Sequence, residues 1–260
     1  MAQALYDYWF VQFDFPDENG KPYKSSGGKM VWNEVLKREI PEGWTVEGID
    51  ATFTMHRGVS YKPEEASDSP LPNYLPVLRA NNINFGTIQW GGLVYVNKER
   101  INSKQAIKKH DVIIVMSSGS KEHVGKIAAA FDDLNCSYGA FCAKLTPKQN
   151  CSALLRTALQ ASAFRLFLKQ FLIGTNINNI SLPVLQGYKI AFPQSKILER
   201  FQRIVGALYE KAARTQQENK ILQEQRDFLL PLLMNGQVQV KPQGVNYHFM
   251  EYQNPPLEAV

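Results

Sequence analysis

The chain of 260 residues is 44% hydrophobic, 11% aromatic and 20% charged, a balance that excludes disordered, collagen-like and disulfide-scaffold classes and predicts one main folded domain. Its formal charge of +5 arises from 29 basic and 24 acidic side chains and by itself proves no partner. The distribution says more: residues 1–76 carry 7 Lys/Arg and 12 Asp/Glu, residues 77–170 carry 13 and 5, and residues 171–260 carry 9 and 7.

Residues 2–13, AQALYDYWFVQF, begin with good helix formers and predict a short helix. Leu5, Tyr6, Trp9, Phe10 and Phe13 give it a wide apolar face over barely three turns, too little to stand alone in water, so it must dock elsewhere. DFPDENGKPYKSSGGK (14–29) is turn and linker chemistry, and residues 1–39 read as a helix followed by a flexible Gly/Ser linker.

From residue 40 to 193 short β-rich runs, TIQWGGLVYV (87–96) and DVIIVM (111–116) among them, lie between Gly, Asn and Pro punctuation, with one helix over 150–173. This predicts an α+β domain. The helix turns Leu154, Leu155, Ala158, Leu159, Phe164, Leu168 and Phe171 toward a sheet, stops at Gly174, and leaves Arg156, Arg165 and Lys169 to project toward a ligand. No acidic residue occurs between Asp133 and Glu199, whereas Lys144, Lys148, Arg156, Arg165, Lys169, Lys189 and Lys196 fall in that interval. Two readings stay open: a surface that meets a polyanion, and basic residues scattered over the fold.

Residues 194–236 contain one interior Gly, one late Pro and no other breaker, predicting a single long helix of about 60 Å at about 1.5 Å per residue. Heptads counted from Ile197 place Ile197, Ile204, Lys211, Glu218, Gln225 and Leu232 at one seam position and Phe201, Leu208, Thr215, Leu222 and Leu229 at the other. The seam is apolar at both ends and polar in its middle, and a helix of this length needs a partner helix or subunit. Residues 237–260 read as a tail.

Enzyme and metal chemistry find little support. Cys136, Cys142 and Cys151 lack paired spacing and fit buried thiols in a reducing compartment. His56, His110, His123 and His248 match no ligand spacing. NPPL (254–257) resembles the Asn-Pro-Pro-aromatic tetrapeptide of amino-methyltransferases, but Leu257 stands where the aromatic ring belongs. GSKEHVGKI (119–127) has one residue too many for a phosphate-binding loop and Ile127 in place of the hydroxyl. No metal or cofactor is expected on the chain. The absence of an apolar run of about 18 residues and of a signal-peptide pattern predicts a cytoplasmic protein without membrane association.

Six segments in order, LYDYWFVQFDFP (5–16), IPEGW (40–44), YLPVLRANNI (74–83), DVIIVMSSGSKEHVGKIA (111–128), GTNINNISLPVLQGYKIAFP (174–193) and LLPLLMNGQVQV (229–240), carry a resemblance over nearly the whole chain. It resembles the DNA-specificity subunit of type I restriction-modification systems. The resemblance implies a mixed α/β target recognition domain followed by one coiled-coil helix. It implies double-stranded DNA, methyltransferase (modification) subunits and a restriction/translocase subunit as partners. It also implies that the subunit itself is non-catalytic, with S-adenosylmethionine on the partner that methylates adenine N6. Family members hold two recognition domains and two helical regions, whereas this length holds one of each, so the chain looks like a half-subunit whose first residues are a helix remnant. A homodimer through antiparallel long helices, with Ile197, Phe201, Ile204, Leu208, Thr215, Leu222 and Leu229 at the seam, would then read a symmetric bipartite site. The alternative is a coiled-coil scaffold without base-specific DNA binding.

Within that frame Arg79, Asn81 and Asn82 are candidate base readers, since Arg offers two parallel donors and Asn a donor beside an acceptor; a turn role for the Asn pair is equally open. Ser118, Ser120, Lys121 and Lys126 of SSGSKEHVGK suit a phosphate grip, or else a hairpin with solvated lysines. Arg57, Tyr61 and Lys62 in an early loop, and Arg165 and Lys169 on the helix, complete the DNA-facing candidates.

Overall fold

The computed structural model describes residues 1–84, 86–173 and 179–235. The predicted stop at Gly174, His248, the NPPL motif and the tail over 237–260 lie outside the described residues. In chain order the strands are β1 (Met30–Asn33), β2 (Arg38–Pro41), β3 (Thr45–Gly48), β4 (Phe53–Arg57), β5 (Ala66–Ser67), β6 (Tyr74–Leu78) and β7 (Ile83–Asn84). They continue as β8 (Thr87–Ile88), β9 (Val94–Asn97), β10 (Val112–Val115), β11 (Ile127–Ala129), β12 (Ser137–Tyr138), β13 (Cys142–Pro147) and β14 (Lys189–Phe192). The helices are α1 (Ala2–Tyr6), α2 (Ser152–Gln160), α3 (Ser162–Ile173), α4 (Leu182–Gly187) and α5 (Ser195–Met234). The mixed α/β build with a long helix after it agrees with the sequence reading.

Two four-stranded sheets carry the domain: β11-β10-β13-β4, wholly antiparallel, and β12-β6-β9-β5, in which only β12 and β6 run parallel. The unbroken apolar run of β10 has a simple cause. Val112 and Ile114 face one core, shared with α2, α3 and the amino-terminal aromatics, while Ile113 and Val115 face another, shared with Leu78, Ile83 and Tyr138. Covered on both faces, the strand loses the polar alternation of a half-exposed one.

The amino-terminal helix docks, as its apolar face requires. Past Tyr6 it widens into a π-helical turn over Asp7–Val11, which brings Trp9 to 5.5 Å and Phe10 to 4.8 Å from the ring of Phe201 on α5. Trp44 closes the cluster against Phe10, Phe13 and Phe15. The left-handed backbone of Gly43 turns the chain just before it (φ +79°). Residues 14–29 form turns, as read, but not a free linker: Asp14 accepts from the Ser25 amide at 2.7 Å and hydroxyl at 2.6 Å, and Phe15 stacks on Tyr23.

Three elements depart from the sequence reading. The helix expected over 150–173 breaks at Ala161, whose extended backbone (ψ 146°) ends α2, while its carbonyl accepts from Arg165 to begin α3. The break lets both halves bury apolar side chains, Leu154, Leu155 and Ala158 in one and Phe164 and Leu168 in the other. The run 87–96 is not one strand, because the chain leaves the sheet after Ile88 and re-enters at Val94. Finally, the compact unit is Met1–Ala213, with Arg214 onward a second unit, so the boundaries drawn at 39/40 and 193/194 fall inside a shared core.

That core corrects the heptad seam. The face of α5 that carries Leu198, Phe201 and Val205 is buried in the chain's own domain, with Ile197 and Tyr209 packed at its margin. Phe201 is therefore a core residue of the domain, and Ile197 is half-buried at the edge of that core. Ile204 is exposed, Leu208 half-buried, and Thr215, Leu222 and Leu229 exposed.

Candidate nucleic-acid interface

β6 delivers its chain into a single 3-10 turn over Ala80–Asn82, and β10 and β11 form a hairpin whose connection runs from Met116 to Lys126. The two loops meet. Arg79, Ala80 and Asn81 of the first line a shallow recess of about 400 Å³ together with Ser117, Ser118, Gly119 and His123 of the second and Phe141 from the loop before β13. Phe141 is 67% exposed, yet its carbonyl accepts from the Met116 and Ser117 amides at 2.9 and 3.1 Å. Backbone bonds thus fix a projecting ring beside the hairpin. A second recess of about 230 Å³ shares Ser117 and Phe141 and adds Arg57 and Met55 of β4 with Asn179–Leu182.

The structure therefore brings Arg57, Arg79, Asn81 and Ser118 to one surface, although they come from three separate parts of the sequence. Guanidinium forks, an exposed amide, a hydroxyl and a flat ring are the groups that contact base edges and phosphates. Ser118 Oγ accepts from the Ser120 amide at 3.3 Å, tightening the hairpin tip, and Ser120 itself is exposed. Tyr61 lies half-buried against the valine cluster of β6 and β9, and burial raises its phenol above the usual value while the nearby Arg79 charge works in the opposite sense.

Of the other candidates, Asn82, Lys121 and Lys126 make side-chain contacts within the fold. Asn82 is fully buried: its Oδ1 accepts from the Arg79 amide at 2.9 Å, and its Nδ2 donates to the Gln89 and Gly91 carbonyls at 2.9 and 2.8 Å. With both amide hydrogens used and no exposed surface it has no face for a base, and of the two roles open to it the turn role is the real one. Lys121 Nζ donates at 3.1 Å to the Leu172 carbonyl in the last turn of α3, where a cation offsets the helix dipole. Lys126 Nζ stands 3.0 Å from His123 Nδ1. Lys62 is exposed on its own turn, where its amide donates to Glu65. Arg165 and Lys169 are exposed on α3, on a different element from the recess.

Nor is the acid-free interval an acid-free surface. Lys144 is buried, paired with the buried Asp111 at 3.2 Å, and the Arg156 guanidinium lies between the rings of Phe131 and Tyr209 at 4.6 and 3.8 Å. Ser117 and His123 lie in the SSGSKEHVGK run that the sequence marks, whereas Phe141 lies in no marked segment. An aromatic residue beside a strand carries the same signal whether it faces the core or solvent, so Phe141 had none of its own. No helix among the described residues is long and apolar enough to cross a membrane.

The family model for the type I restriction modification DNA specificity domain matches residues 41–224, a span that holds both recesses and most of α5. The specificity subunit of the type I restriction enzyme EcoKI of Escherichia coli is 34% identical over 208 residues, which is 78% of this chain and 45% of that protein. The StySPI specificity subunit of Salmonella potsdam is 34% identical over 203 residues, 76% of this chain and 44% of that protein. The chain thus spans a little under half the length of these relatives. A crystal structure of the S subunit of a type I restriction-modification system from M. genitalium is 18% identical, with a TM-score of 0.48 over 73% of this chain and 45% of that one.

Proposed function

Because the chain belongs to the family of type I restriction-modification DNA specificity domains, we propose that it is a sequence-reading subunit that directs adenine-N6 methylation and restriction by partner subunits without performing chemistry itself. The observation that carries this reading is the recess where Arg79 and Asn81 meet the Ser117–Gly119 hairpin and the exposed ring of Phe141. Donors, an amide and an apolar face converge there on loops held by a rigid double sheet, the arrangement that reading base edges in a groove requires. Duplex DNA is the ligand. S-adenosylmethionine belongs to the modification subunits, and cleavage to a restriction/translocase subunit.

In this reading two copies of the domain and its long helix read the two halves of a bipartite site. The exposed apolar side chains of α5, Ile221, Leu222, Phe228, Leu229, Leu230 and Leu233 among them, support pairing of two helices in antiparallel sense and docking of the modification subunits along them. A cytoplasmic setting agrees with three buried, unpaired cysteines. Mapping adenine methylation in cells that express the chain with its modification subunit tests the whole reading. A symmetric bipartite motif is expected. An asymmetric motif would mean pairing with a different half-subunit, and a dimer that binds the modification subunit but all DNA sequences equally would make the chain a scaffold.

A further inference from the structure

We infer that Trp90 is a base-contacting residue, presented to duplex DNA by a loop that the buried Asn82 and Arg79 hold in place; the inference rests on the reading just proposed. A single exposed aromatic ring is common on protein surfaces. What sets this one apart is the construction beneath it. The five-residue loop 89–93 bears Trp90, 47% exposed and in none of the three core clusters, followed by Gly91 and by Gly92 in a left-handed conformation (φ +63°). Its backbone is fixed at four points. The Gln89 amide donates to the Asn82 carbonyl at 2.8 Å. Asn82 Nδ2 donates to the Gln89 and Gly91 carbonyls at 2.9 and 2.8 Å, and Arg79 Nη2 donates to the Gly92 carbonyl at 2.8 Å.

A fully buried asparagine and an arginine are thus spent on rigidity in a loop whose Leu93 packs against a core but whose Trp90 contributes to none. Core packing accounts for the seating of Leu93, not for the ordering of the Trp90 tip. Binding does, because a contact group held in place beforehand loses little entropy when it meets its ligand. Arg79, one of the two anchors, also lines the recess with Asn81 and Ser118, so the loop is attached to the surface proposed to read DNA. The chemistry of an indole at that place is apolar contact with bases, through its face, beside a position read by hydrogen bonds. Arg79 and Asn82 then act as positioning residues for Trp90.

The test uses the full chain. Trp9 and Trp44 are buried and Trp32 is the other exposed indole, so a Trp32→Phe chain reports Trp90 alone to acrylamide. Adding a duplex that contains the mapped motif is expected to lower the Stern–Volmer quenching constant at least twofold, whereas a scrambled duplex lowers it less. Trp90→Ala is expected to weaken specific binding at least tenfold with the salt dependence unchanged, and Trp90→Phe to retain most of the affinity. Circular dichroism melts that coincide with the parent chain show that both variants are folded. Unchanged quenching, or a Trp90→Ala chain that binds its motif as the parent does, overturns the inference while leaving DNA recognition standing. A parent chain that discriminates no duplex overturns both.

Discussion

Lys144 shows how little a charge in the sequence says about its role. It stands in the acid-free interval, yet its side chain is 6% exposed and its ammonium lies 3.2 Å from the carboxylate of Asp111, whose side chain is 1% exposed. Asp111 also accepts from Thr146 Oγ1 at 2.7 Å and from the Lys108 amide at 2.8 Å, and Lys144 donates to the Ala106 carbonyl at 2.6 Å. The pair is enclosed by the central sheet, so removing one partner strands a charge in a medium of low dielectric constant. Lys144→Met is expected to lower folding stability by about 3–5 kcal/mol, read as a shift in the urea midpoint; an unchanged midpoint would contradict the burial of the pair. At this scale the candidate site was half legible. Residue type alone marks Arg79 and Asn81 as groups able to contact a base, but Asn82 has the same chemistry and is spent on the turn and the 89–93 loop. The difference between them is burial, which spacing does not encode.

Among the elements, α5 has two environments. Its first turns bury Leu198, Phe201 and Val205 in the domain, whereas Leu222 and Leu229 are exposed. The heptad count gives a periodicity but is blind to which neighbour the stripe meets: Trp9 and Phe10 of the chain's own amino-terminal segment pack on Phe201. Phe201→Ala is accordingly expected to destabilise the compact unit by about 3–5 kcal/mol, seen in thermal or urea unfolding. Leu222→Glu combined with Leu229→Glu is expected to leave that unfolding unchanged and to shift sedimentation from dimer to monomer. A double variant that remains dimeric would remove the exposed part of α5 from the interface. The break at Ala161 was illegible for a related reason: Ala and Ser both tolerate a helix, and only the need to bury Leu154 and Phe164 together bends the chain there.

Over the whole molecule the charge excess resolves into internal and external parts. Lys144 and Arg156 are inside, Lys108 and Lys109 pair with Asp133 and Glu210, and Arg57 and Lys169 are exposed. Each exposed cation that meets a phosphate releases counterions, so its loss flattens the dependence of log K on log salt by roughly 0.9. Arg57→Gln and Lys169→Gln are each expected to weaken DNA binding at all sequences and to reduce that slope by about this amount. Binding isotherms at several salt concentrations decide it, and a slope equal to that of the parent chain would exclude the residue from phosphate contact.

The sequence by itself determined the α+β class, the docking of an aromatic amino-terminal helix, the β-rich run that became β10, the single long α5 and the family. Each of these is written in periodicity, composition or segment order, all of which are local along the chain. Only the tertiary structure decided which polar groups are presented and which are supports. Those roles depend on pairings such as Arg79 with Gly92, Lys121 with Leu172 and Lys144 with Asp111, where the two partners come together only once the chain has folded.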